Sequence, residues 1–157
     1  MNDQQYMERV CAMERKLYRI ARAILFNDAD CADAIQEAVF RGWMKKDGLR
    51  EEKYFETWLI RILINECRNQ LRRGRDLPLT QPPQGSVEDV QLDFALRDAL
   101  RALPEKYRVP MLLHHLEGYS LVEISQILKL SESKVRYRVH QGRNALKKIL
   151  KNGEYSL

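Results

Sequence analysis

Residues 120–150, SLVEISQILKLSESKVRYRVHQGRNALKKIL, constrain this chain more than any other segment. Leu121, Ile124, Ile127 and Leu128 recur at helical spacing and mark one face of a short helix. Ser120 followed by Glu123 has the layout of a capping box, which satisfies free N–H groups at a helix start. Lys129, Leu130 and Ser131 read as a turn, with Leu130 plugging the gap between two helices and Ser131 capping the second. In that second helix Val135, Val139, Gly142 and Leu146 form a narrow inner stripe. Ser133, Tyr137, His140, Gln141 and Asn144 lie opposite, flanked by Lys134, Arg136, Arg138 and Arg143. A charge run alone is as well explained by a solvated surface. Paired caps, a short turn and a one-sided apolar stripe together predict a helix-turn-helix, whose second helix offers donors to phosphates and base edges of the DNA major groove.

The rest of the composition narrows the field. The chain has 157 residues and a formal charge of +5, which suits a polyanionic partner without requiring one. No apolar run approaches the roughly 20 residues that span a bilayer, and MNDQQYMERV lacks the layout of a signal peptide, so a cytoplasmic location is expected. The three cysteines, Cys11, Cys31 and Cys67, form no CxxC pair and fall in helical segments, where free thiols are the default. Adjacent His114 and His115 point different ways on a helix and cannot share a ligand face. Neither a catalytic triad, a glycine-rich phosphate loop nor an HExxH zinc motif is present. No metal, cofactor, small-molecule substrate or catalytic residue is therefore expected.

Between residues 73 and 90 the composition shifts: GRDLPLTQPPQGSVEDV holds three prolines and two glycines and loses helical periodicity. The expected fold is all-α, with two small helical domains at 1–73 and 91–153, a flexible linker at 74–90 and a tail at 154–157. In the first domain the patterning predicts one continuous helix over 3–25, a second over 30–44 and a third from 52 or 55 to 73. In the second domain it predicts a helix over 92–103, with Pro104 opening the next as its first residue. Pro110 should kink or shorten that helix, and Gly118 should end it.

Two further surfaces stand out. The 30–44 helix should turn Ala32, Ile35, Ala38, Val39 and Trp43 inward. Its opposite stripe carries Asp33, Glu37, Phe40 and Met44, with Gln36 and Arg41 beside it. An apolar patch rimmed by polar groups suits a protein interface, although Phe40 and Met44 could equally pack on the first helix. The third helix carries Arg61, Asn65, Arg68 and Arg72 on one stripe with Asn69 adjoining, after Lys53, Tyr54 and Phe55. Arginines and amides close to aromatics suit melted DNA, although Phe55 and Trp58 also read as core, Trp58 more so.

Taken in order, DCADAIQEAVFRGW, FETWLIRILINECRNQLRR and the segment from LPEKYR through EGYS into the helix-turn-helix resemble a bacterial sigma factor of the extracytoplasmic-function (ECF) group. The resemblance covers residues 15–150. It implies binding to core RNA polymerase, through the clamp coiled coil of the largest subunit and the flap, and to promoter DNA. It also implies an anti-sigma factor, often membrane-anchored, as a further partner. On this resemblance Asp33, Gln36 and Glu37 would contact the polymerase. Lys53, Tyr54, Phe55, Arg61, Asn65, Arg68, Asn69 and Arg72 would read the −10 element, with the loop holding a flipped base. Ser133, Lys134, Arg136, Tyr137, Arg138 and Gln141 would face the −35 element. Family members often carry glycine where Lys129 stands; should that position be left-handed, lysine there bears a modest cost in strain. The alternatives are a stand-alone helix-turn-helix regulator, which would need a dimer interface, a nucleic-acid enzyme, for which clustered carboxylates are lacking, and an adaptor with a degenerate helix-turn-helix.

Overall fold

The computed structural model describes residues 1–74 and 94–152. The expected tail, and the expected linker beyond Gly74, lie outside the described residues. All secondary structure among those residues is helical, and the chain divides into two compact units, Met1–Gly85 and Ser86–Leu157.

The first unit contains α1 (Asp3–Ala12), α2 (Glu14–Leu25), α3 (Asp28–Lys45) and α4 (Phe55–Gly74), with short 3-10 turns at Lys46–Gly48 and Glu52–Tyr54. The expected 3–25 helix is thus two helices. Met13 sits at φ −100°, ψ 3°, and its N–H reaches back three residues to the Val10 carbonyl at 3.0 Å. Its own carbonyl accepts from Leu17 at 2.8 Å and starts α2. The apolar residues Tyr6, Val10, Met13, Leu17, Ile20 and Ile24 keep alternating spacings of four and three across the break, and all are buried. Periodicity therefore gives no warning of it. Side-chain caps fix the other starts: Asn2 and Gln5 form a reciprocal capping box on α1, and Asn27 accepts from the Asp30 N–H at 3.0 Å on α3.

The inner face of α3 differs from the expected one. The buried stripe is Cys31, Ala34, Ala38 and Gly42. Ile35 and Val39 are half-buried, Ala32 is exposed, and Trp43 is 41% exposed. Close approach is the physical reason. Tyr6 Oη donates to the Val39 carbonyl at 2.6 Å, and a Cβ at Gly42 would collide with that same Tyr6 oxygen and lie 3.2 Å from Leu59. Burial pushes the Tyr6 phenol up to about 12, so it remains a donor at neutral pH. The helix buries its smallest side chains because its neighbours leave room for nothing else.

The second unit contains α5 (Phe94–Ala102), α6 (Glu105–His115), α7 (Leu121–Leu128) and α8 (Glu132–Asn152). Pro104 is the N-cap of α6, at φ −56° and ψ 144°, rather than its first helical residue. Pro110 lies inside α6, which runs on to His115; its ring is fully buried, and the missing donor forfeits only the bond to Lys106 near the helix start. Arg108 is buried, and its Nη1 donates to the carbonyls of Leu103 at 2.6 Å and Leu100 at 3.5 Å, closing the end of α5. Burial lowers its pKa to about 10, so it stays charged at neutral pH. Gly118, at φ +78°, reverses the chain after α6 and lets Tyr119 N–H reach the Leu113 carbonyl at 3.0 Å.

The helix-turn-helix follows the sequence expectation closely. Glu123 N–H donates to Ser120 Oγ at 3.1 Å, and Ser120 N–H donates to Glu123 Oε1 at 3.0 Å. Lys129 is left-handed at φ 55° and ψ 48°, Leu130 is half-buried, and Ser131 Oγ accepts from Lys134 N–H at 3.2 Å. Val135, Val139 and Gly142 are buried and Leu146 half-buried. A Cβ on Gly142 would stand 2.8 Å from the Tyr107 carbonyl oxygen and 3.3 Å from Met111 Cβ. The obstacle is backbone and cannot swing aside.

Gly142→Ala is therefore expected to destabilise the second unit. Overpacking of about 1–3 kcal/mol outweighs the roughly 1 kcal/mol that alanine gains over glycine in a helix. Gly48→Ala, where a Cβ meets nothing within 4 Å, serves as the control. Thermal unfolding should show a lower midpoint for the first variant and none for the second; equal midpoints would contradict the packing account.

Candidate nucleic-acid and partner-binding surfaces

Because α3 buries its small residues, its large ones face outward. Phe40 is 55% and Met44 62% exposed, so neither packs away on the preceding helices. The Phe40 and Trp43 ring centroids are 6.3 Å apart. Val10, Cys11, Leu17, Ile35, Val39 and Phe40 help line an open apolar groove of about 580 Å³ between α1, α2 and α3. Trp43 is pinned: its Nε1 donates to Asp3 Oδ1 at 3.0 Å, and Lys46 lies 3.2 Å from the same carboxylate and 5.8 Å from the indole. The hydrogen bond from Lys46, then that from Trp43, holds the Asp3 carboxyl below the usual carboxylate range. Asp33 and Gln36 stand exposed beside this apolar face, and Glu37 is half-buried.

Glu37 is not a free anion. Arg41 Nε lies 3.1 Å from Glu37 Oε1 and 2.7 Å from Oε1 of Glu66, an α4 residue only 3% exposed. One guanidinium thus links the acidic stripe of α3 to the interior of α4. The other oxygen of Glu66, Oε2, has no hydrogen-bond partner. Sequence reading passed over Glu66, as it did the buried Arg108. The one available signal was a carboxylate in an otherwise apolar register of α4.

At the start of α4 the Glu52–Tyr54 turn is closed by Tyr54 N–H on the Glu51 carbonyl at 3.1 Å, and Thr57 Oγ1 donates to the Tyr54 carbonyl at 3.2 Å. Lys53 and Tyr54 are exposed, with Lys53 Nζ 5.1 Å from the Tyr54 ring centre. Phe55, grouped with them by sequence, is placed differently. It is 3% exposed, edge-on to Tyr6 at 5.8 Å and 5.9 Å from Trp58, so it anchors the turn and offers no face to a ligand. Trp58 is half-buried. Along α4, Asn65 and Arg72 are exposed, while Arg61, Arg68 and Asn69 are half-buried.

On α8, Ser133, Lys134, Arg136 and Tyr137 are exposed, and Arg138 and Gln141 half-buried. Glu132 holds Arg136 only loosely, at 3.5 Å, and Asn144 lies 3.1 Å from His140. A second, smaller groove of about 300 Å³ opens between α5, α6 and α8, lined by Leu96, Leu100, Met111 and Leu116 among others. His115 borders it, its pKa held down chiefly by burial and further by His114 and Arg143. Among the described residues no cluster of His, Cys, Asp and Glu could hold a metal, and no helix is long and apolar enough to cross a membrane.

One helical unit bears a basic helix-turn-helix, and the other an acidic-apolar face on α3 and an arginine-asparagine stripe on α4, surfaces whose chemistry suits nucleic-acid and protein partners. Residues 10–76 match Sigma-70 region 2, and residues 93–146 match Sigma-70, region 4. The sigma factor SigW of Bacillus subtilis is 27% identical over 87% of this chain and 84% of its own length. The sigma-E factor of Streptomyces avermitilis is 29% identical over 94% of this chain and 86% of its own. The fold likewise matches the sigma factor RpoE, solved with the anti-sigma factor NepR from Bartonella quintana, with a TM-score of 0.83 at 24% identity over 94% of this chain and 98% of that one. The chain belongs to the ECF sigma factors, which direct RNA polymerase to promoters. The stand-alone regulator, enzyme and adaptor readings are set aside.

Arg41→Met should remove the sole described partner of a buried carboxylate. The expected cost is about 2 kcal/mol, below the usual figure for a fully buried pair because Arg41 is half in solvent. Adding Glu66→Gln should recover most of it. Urea unfolding of both variants is the check, and a double variant no more stable than the single one would contradict the pairing.

Proposed function

We propose that the surfaces divide the work of initiation as follows. Asp33, Gln36 and Glu37, with the apolar residues Phe40, Trp43 and Met44, dock on the clamp coiled coil of the largest polymerase subunit. Lys53 and Tyr54 hold a flipped base of the −10 element, while Arg61, Asn65, Arg68, Asn69 and Arg72 follow its strand. Phe55 acts as the anchor of that loop. Ser133, Lys134, Arg136, Tyr137, Arg138 and Gln141 meet the −35 duplex, and the apolar groove of the second unit receives the flap. The domain limits are 1–73 and 91–153 with a linker at 74–90, and the protein works in the cytoplasm. An anti-sigma factor that covers these faces is the expected inhibitor, since the structurally similar RpoE was solved with one.

The observation that carries the reading is the inverted packing of α3. Large apolar side chains held in the open beside carboxylates support a protein interface, where aromatic and methionine side chains are enriched and a polar rim surrounds them. The exposed donors of α8 support base and phosphate contacts in a duplex.

Run-off transcription with core polymerase on a promoter library tests the division. Charge reversal at Asp33 and Glu37 together should weaken polymerase binding by about tenfold or more, and leave binding of the second unit's helix to DNA unchanged. Arg136→Ala should lower use of −35 elements by about 1–3 kcal/mol with core binding intact. If the two variants fail in the same way, the division is wrong. The free protein should bind promoter DNA weakly, because each unit supplies only part of the contact; tight, specific binding in an anisotropy titration without polymerase would count against it.

A further inference from the structure

The turn Glu52–Tyr54 is held from outside by a residue far away in sequence. Arg9, on α1, donates from Nη1 to the Glu52 carbonyl at 3.0 Å and from Nη2 to Glu52 Oε2 at 2.9 Å. Its guanidinium carbon also lies 5.5 Å from the centre of the Phe55 ring. One planar fork therefore grips the main chain and side chain of the turn's first residue and covers the aromatic ring just after its last. Tyr6, one helical turn earlier on α1, meets that ring edge-on. An isolated surface ion pair contributes little, but a fork that engages two acceptors and a ring at once fixes geometry as well as charge.

The loop electrostatics agree. Glu51 and Glu52 are adjacent carboxylates in a segment that would meet nucleic acid. Each is occupied by a cation: Glu52 by Arg9, and Glu51 by Lys53 at 3.3 Å.

We propose that Arg9 is a positioning residue for promoter opening: from α1 it fixes the Glu52–Tyr54 turn, so that Lys53 and Tyr54 meet the flipped base in a preset orientation. This rests on the proposed reading of the loop as the base holder, and neither that reading nor the Sigma-70 region 2 match, which begins at residue 10, gives Arg9 a part. A loop ordered in advance loses less conformational entropy when it captures a base. The effect should therefore fall on opening rather than on assembly with polymerase.

The test uses the full chain with core polymerase and a promoter carrying 2-aminopurine at successive non-template −10 positions. Fluorescence reports base flipping, and anisotropy with labelled protein reports polymerase affinity. Arg9→Met should slow flipping by about tenfold or more, with polymerase affinity and melting temperature unchanged. Arg9→Lys keeps the charge but has no fork and should recover only part of the rate. The double variant Arg9→Met with Glu52→Gln should remain slow; recovery there would mean that Arg9 merely shields Glu52, and would overturn the positioning role. Wild-type flipping by Arg9→Met, or a parallel loss of polymerase binding and thermal stability, would overturn it as well. Tyr54→Ala separates the two levels. If it flips bases normally, the base-holding reading fails and takes this inference with it. If Tyr54→Ala is slow and Arg9→Met is not, this inference alone fails.

Discussion

A steric limit on α3 governs the first unit. Where Tyr6 donates to the Val39 carbonyl, no Cβ can stand on residue 42, and the stripe facing the interior is Cys31, Ala34, Ala38 and Gly42. A helix of this composition still carries Phe40, Trp43 and Met44, and with the small residues turned inward these have nowhere to go but out. Under the proposed reading, the docking face is thus a direct result of how the core is packed. The second unit repeats the device. Gly142 lets α8 lie against the Tyr107 carbonyl, and that seating leaves Tyr137, Lys134 and Arg136 on the solvent side. In both units the absence of a single side chain determines which residues are left facing solvent.

That device also explains what was legible in the sequence. Caps and turns were readable because each is a local exchange of hydrogen bonds between residues three apart, as at Ser120 with Glu123 and at Ser131. The inner stripe of α8 was readable because Val135 and Val139 are both apolar and inward. Patterning places Phe40 and Met44 on the outer stripe of α3 and Ala38 on the inner one, as the structure has them, but it also turns Trp43 and Ala32 inward, whereas close helix contact selects Cys31, Ala34 and Gly42. The break at Met13 was invisible because a local change in φ and ψ leaves a four-and-three apolar spacing intact. Phe55 was grouped with Lys53 and Tyr54 by adjacency, but one residue along the chain turns the side chain from solvent to core. Glu66 and Arg9 depend on partners about 25 and 43 residues away, Arg41 and Glu52, and no spacing rule connects them.

Each unit holds one charged residue in its interior among the described residues, and the two are satisfied differently. Arg108 is a cation set against the carbonyls at the end of α5, where the helix dipole favours positive charge. Its removal would leave those carbonyls open and loosen the corner that seats α6 under α8. Glu66 is half satisfied: one oxygen takes Arg41, and the other takes nothing. A buried polar group left open is costly, so Arg41 cannot swing away to serve another acceptor without exposing that cost in full. Arg41 is thereby fixed, and with it the local charge beside Glu37. The acidic stripe is accordingly more ordered than its exposure suggests.

Under the proposed reading the two DNA-facing surfaces solve different problems, and their construction differs accordingly. A duplex major groove is regular, so a rigid helix suffices to enter it, and readout can be left to side chains that settle on contact. The α8 surface fits that need: its start is capped by Ser131, its seat is fixed by Gly142, and Arg136 is tethered only at 3.5 Å. A flipped base has no regular backbone to rest against, and the strand must pay unstacking energy before any contact is made. Under the proposed reading, that cost is best met by a loop whose own ordering is already complete. Thr57 on the Tyr54 carbonyl, Phe55 in the core and Arg9 on Glu52 supply that order from three directions. Rigidity in one unit therefore lies in the helix axis, and in the other in the anchoring of a three-residue turn.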